Sequence, residues 1–99
     1  MSSPRENWLA LRAKAVTGEF RPKDWNWCVG ENIVPVPDST SLKGWEYKQR
    51  VCIFVMGDDN EQCLYDFPLD GDPTPEKWET AKQMIRETFG VERILNGVD

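Results

Sequence analysis

Ninety-nine residues with twelve Lys and Arg against seventeen Asp and Glu make one small acidic chain of net charge −5, long enough for a single core and one domain over 1–99. Histidine is absent, which excludes Ser-His and Cys-His nucleophile pairs and any imidazole acid–base step. There is no apolar stretch long enough to cross a bilayer and no charged leader before an apolar segment, so a cytoplasmic protein without a membrane partner is expected.

The chain opens with a helix signal. Ser3 is placed to cap, Pro4 suits the first helical position and Glu6 stands where a capping box wants an acid. Trp8, Leu11 and Ala15 recur at helical spacing, with Leu9 and Val16 beside them, and Gly18 stops the run. A first helix is therefore expected over 4–17. From Phe20 to Trp27 aromatic and charged residues interleave, and Trp25, Trp27 and Val29 share a face if the backbone is extended. Between Gly30 and Thr40 the chain is rich in turn residues. Pro35 and Pro37 cannot donate to a ladder, which predicts an edge strand or an extended loop over 33–37.

The densest apolar run follows. Val51 to Met56 has strand length and both faces apolar, Gly57-Asp58-Asp59-Asn60 reads as a turn, and Cys63, Tyr65 and Phe67 alternate on the return. This predicts a central hairpin over 45–67, covered by helices where the run is apolar on both faces. A lone hairpin is marginal in water, so the rest of the chain must pack on it. Thr74-Pro75-Glu76 repeats the cap-proline-acid start, Trp78, Ala81, Ile85 and Phe89 form an apolar stripe with Met84 alongside, and Gly90 ends the second helix. A short strand over 91–95 can follow. The expected architecture is α+β: an antiparallel sheet of three to four strands with an N-terminal and a C-terminal helix, in the order α-β-β-β-β-α. Trp78 and Phe54 are its expected large core residues.

Candidate chemistry is sparse. Three cysteines, Cys28, Cys52 and Cys63, sit in strand-like apolar contexts and read as reduced core thiols. Without histidine or a close Cys pair there is no zinc pattern. Asp66, Asp70, Asp72 and Glu76 around Gly71 offer oxygen ligands but not the EF-hand spacing, so no metal and no cofactor are expected. The carboxylate pairs Asp58/Asp59 and Asp70/Asp72 stand beside glycine and read as solvated turn-forming residues rather than an acid–base pair. No catalytic residue is assigned.

The charge is unevenly spread: residues 57–76 hold seven acidic groups and no basic one. That run predicts an electronegative surface able to dock on a basic protein site, including one that normally holds nucleic acid, as a nucleic-acid mimic does. The leading expectation is a non-enzymatic protein-binding module that modulates or inhibits a larger cytosolic machine. Its contact residues would be Asp58, Asp59, Glu61, Asp70 and Asp72, with Trp45 as a partly exposed aromatic anchor. In style the chain is that of small, acidic, histidine-poor accessory proteins, such as viral, phage or mobile-element inhibitors, with no motif behind the likeness. The alternative is weak single-stranded nucleic-acid binding, Arg21 and Lys23 on phosphates and Trp25 and Trp27 under bases. Against it, the net charge repels polyanions, and Trp25 and Trp27 serve equally well to close the core. The 33–36 stretch could pair with a second copy, so monomer and homodimer are both expected states.

Overall fold

The computed structural model describes residues 4–57 and 63–97. Helix α1 runs Pro4–Thr17, strand β1 Asn26–Pro37, strand β2 Trp45–Met56, strand β3 Cys63–Pro68, helix α2 Pro75–Phe89 and strand β4 Ile94–Asn96. The four strands form one sheet in the order β3-β2-β1-β4. β1–β2 and β2–β3 are antiparallel, whereas β4 returns after α2 and lies parallel to β1.

The fold is thus α+β as expected, with two corrections. The sheet is mixed rather than antiparallel, and three strands rather than four stand between the helices, the short strand that could follow α2 being present as β4. The extended segments on either side of Gly30 are also one strand. Residues 26–37 pair without interruption from Asn26↔Met56 to Pro37↔Trp45. The prolines fit because of the side they face. Val29 turns its carbonyl away from β2, where it accepts the Gly97 N–H. Backbone groups alternate sides along a strand, so Ile33, Pro35 and Pro37 also turn outward, to an edge that β4 leaves open beyond Val29. The missing N–H groups cost no ladder bond.

Both helices cover one face of the sheet. Trp27, Val29, Val51, Ile53, Val55 and Phe67 point into them and meet Trp8 and Leu11 of α1 and Ala81, Ile85 and Phe89 of α2. Aromatic edges lock this layer: Trp8 lies 5.1 Å from Phe67 and 4.9 Å from Phe89, both edge-on, and Trp27 lies 4.9 Å from Phe89. The α2 stripe forms as its spacing demands. Thr74 caps it by accepting the Lys77 N–H at 3.3 Å, and Gly90 closes it in the left-handed region at φ 67°. The expectation that helices cover both faces of 51–56 does not hold. Trp78 and Phe54 are only half-buried, and Trp27, Ile53 and Ile85 are the large enclosed side chains.

Where β4 crosses β1 the backbones nearly touch. A Cβ built on Gly97 would stand 2.7 Å from the Gly30 Cα, and one on Gly30 would stand 3.2 Å from the Phe54 ring. Only glycine permits that approach. Among the described residues no helix is long and apolar enough to cross a membrane.

Candidate functional site: an exposed β-arm

The helices cover only the first part of the β1–β2 ribbon. From Glu31 and Arg50 outward, the two strands run on to Pro37 and Trp45 with no third strand and no helix against them. The seven residues from Glu31 to Pro37 reach about 20 Å at the usual rise per residue. The molecule is accordingly elongated, 42 Å long against 29 and 25 Å.

The arm continues the face that packs the core, but in the open. Ile33, Pro35 and Pro37 on β1 stand beside Trp45 and Tyr47 on β2, because Pro35 pairs with Tyr47 and Pro37 with Trp45. Ile33 is 64% exposed, Tyr47 62%, Trp45 36%, and Leu42 in the connecting turn is fully exposed. Trp45 and Tyr47 meet edge to face at 4.8 Å, and the Lys43 ammonium sits 5.6 Å from the Trp45 ring centre. The tip is hydrogen-bonded within itself. Asp38 Oδ1 accepts from the Thr40 hydroxyl at 2.6 Å and the Thr40 N–H at 2.9 Å, while the Asp38 N–H donates to the Gly44 carbonyl at 3.0 Å. The Thr40 bonds, the side-chain one foremost, hold the Asp38 carboxyl below its ordinary pKa. At the base, Gln49 donates to Glu31 at 3.1 Å. The apolar face is therefore presented on an ordered frame. A cavity of about 380 Å³ opens on it between Leu42, Lys43, Trp45 and Tyr47.

The structure separates the expected contact residues. Trp45 is half-exposed on the arm. Asp72 lies beside the middle of β2, its carboxylate 3.9 Å from Arg50 and its side chain 95% exposed, and Asp70 is exposed in the same loop. Five residue steps of extended strand, about 17 Å, divide Arg50 from Trp45. Asp58, Asp59 and Glu61 lie outside the described residues; they follow Met56, the end of β2 opposite Trp45. Trp45 and the loop that carries Asp70 and Asp72 therefore belong to different regions.

The basic aromatic segment is also divided. Trp27 is 1% exposed and donates its Nε1–H to the Pro22 carbonyl at 2.9 Å, so no base can stack on it. Arg21 pairs with Asp24 at 3.1 Å. Trp25 stacks on Phe20 at 5.9 Å, and with Lys23 it lines a groove of about 500 Å³ that Arg93 joins from beyond α2. Among the described residues no cluster of three or more Cys, Asp or Glu is placed to hold a metal ion. Cys28 and Cys52 are buried in the sheet as expected.

On the helix-free face, Asp66 of β3 stands beside Cys52. Desolvation raises its pKa, and the hydrogen bond from the Cys52 thiol partly opposes this. Leu42 and Tyr47 were not singled out as binding residues by sequence reasoning, and Ile33 only as part of an edge that could pair with a second copy. The available signal was the charged and polar start of β2, where Trp45 and Tyr47 share a face with Gln49 and no helix stripe is left over to cover them. Compared with known proteins, the chain matches no family model, no curated protein and no solved structure.

Proposed function

We propose that the chain is a non-enzymatic protein-binding module that modulates or inhibits a larger cytosolic machine, with a nucleic-acid-processing complex as one candidate. The observation that carries this reading is the arm. Four large apolar side chains, Ile33, Leu42, Trp45 and Tyr47, stand exposed together on an ordered ribbon. Patches of this kind mark docking surfaces, and Trp and Tyr are the usual anchors. The acidic positions Asp70 and Asp72, with Asp58, Asp59 and Glu61, add attraction for a basic partner surface and speed encounter more than they tighten binding.

The test is a tagged pull-down from host lysate, repeated after nuclease treatment and at two salt concentrations, with arm and acid variants in parallel. A stoichiometric protein partner that survives nuclease, weakens with salt and is lost with Trp45→Ala/Tyr47→Ala is the expected result. Asp70→Lys/Asp72→Lys should slow association and flatten its salt dependence. Capture that ignores both double variants would end this reading. The groove of Lys23, Trp25 and Arg93 favours a second one, weak single-stranded nucleic-acid binding without Trp27. It predicts tryptophan quenching by oligonucleotides that fades steeply with salt and is lost with Arg93→Glu.

A further inference from the structure

The arm is a ribbon of two strands with one apolar face in water. Two-stranded ribbons are marginal by themselves, and this one lacks the third strand or helix that covers the same face nearer the body. The occupant of that face can be argued from charge, backbone and size.

Charge favours a second copy. Within residues 31–50, Glu31, Asp38 and Glu46 balance Lys43, Lys48 and Arg50, so the whole net charge of −5 lies outside the arm. Two bodies of this chain repel one another, and the neutral arm is the surface on which two copies approach without that penalty. The backbone decides how they meet. Pairing edge to edge through β1 is opposed, because Pro35 and Pro37 remove two of the donors that the open edge would use. That leaves the faces.

We infer that two copies of the chain pack arm on arm, face to face and antiparallel, into an isologous dimer. A two-fold axis that runs across the strands at the Pro35–Tyr47 pair stacks Pro35 of one copy on Pro35 of the other and Tyr47 on Tyr47. It also brings Lys43 at each tip to Glu31 at the base of the facing arm. The four exposed apolar side chains offer roughly 500 Å². With Pro35, Pro37 and the charged ends this approaches the ~800 Å² per partner of a specific complex, enough for a reversible dimer at the weak, micromolar end of what such areas support. This inference rests on the reading of the arm as a docking element and names its occupant. The acidic loop stays free for a different partner and is present twice, so arm variants that break the dimer also weaken capture of that partner by removing the second copy of its site.

Sedimentation equilibrium of the full chain from about 1 to 200 μM tests it. The expected result is a monomer–dimer equilibrium that Tyr47→Glu and, separately, Leu42→Ser weaken tenfold or more, with circular dichroism unchanged. Glu31→Lys and Lys43→Glu should each weaken it several-fold, and the double variant should restore it. A chain monomeric throughout, or a dimer indifferent to Tyr47→Glu, would overturn the proposal. If the chain is monomeric while lysate capture still needs Trp45 and Tyr47, the docking element stands and only its occupant is wrong. If neither self-association nor capture responds to the arm variants, both readings fall.

Discussion

β1 and β2 each belong to two different proteins, so to speak, and the dividing line is at Glu31 and Arg50. On the body side, Trp27, Val29, Val51, Ile53 and Val55 are enclosed beneath α1 and α2. On the arm side, Ile33, Pro35, Trp45 and Tyr47 continue the same face into water. The ladder is unbroken across the line, so backbone hydrogen bonding does not separate the two. What separates them is the reach of the helices. Apolar burial stabilises the body, whereas the arm leaves equivalent side chains in water.

The largest effect that should distinguish the two regions is Trp27→Ala. It empties a site between Trp8, Phe20 and Phe89 and should cost about 3–5 kcal/mol, read by urea denaturation. A loss below 1 kcal/mol would dissolve the distinction between body and arm. Gly97→Ala comes next. Its Cβ meets the Gly30 backbone, so β4 must shift, at about 1–3 kcal/mol. An unchanged melting curve would mean that β4 adds nothing to the body.

Asp66 should give a smaller, pH-dependent effect. Its carboxyl is raised in the folded chain, so the folded state binds its proton more tightly than the unfolded one. Its unfavourable contribution is absent below the unfolded pKa and grows as pH rises through the folded one. Asp66→Asn should therefore gain stability relative to the parent at neutral pH and lose that gain in acid. A difference of constant size from pH 3 to 7 would contradict the assignment. The smallest effect belongs to the arm: Leu42→Ser should shift stability by no more than about 0.5 kcal/mol at concentrations where the chain is monomeric. A large loss there would show that Leu42 packs within its own chain.

Local signals were legible where a single stretch decides its own fate. Thr74-Pro75-Glu76 and Gly90 bound α2 because capping is settled within one turn, and helix α1 falls on its expected range, ending before Gly18 at φ 84°. The candidate site was legible at Trp45 alone. Its neighbours could be recognised only once β1 was seen to be one strand, which pairs Pro35 with Tyr47. Trp25 and Trp27 alternate with polar residues in the sequence, yet one stacks at the rim and the other is enclosed, since an extended segment does not record what packs on it.

By itself, then, the amino-acid order determined the two helices, the Trp45–Phe67 hairpin, the α+β class and the uneven charge, all consequences of short-range periodicity, capping and turn chemistry. The tertiary structure decided that β4 returns parallel to β1, that both helices share one face, and that their cover ends near Glu31. Those outcomes depend on contacts between residues far apart in the chain, such as Trp8 with Phe89 and Gly30 with Gly97. A pattern of apolar residues says that a face wants cover. Only the packed chain shows which part of it was left without.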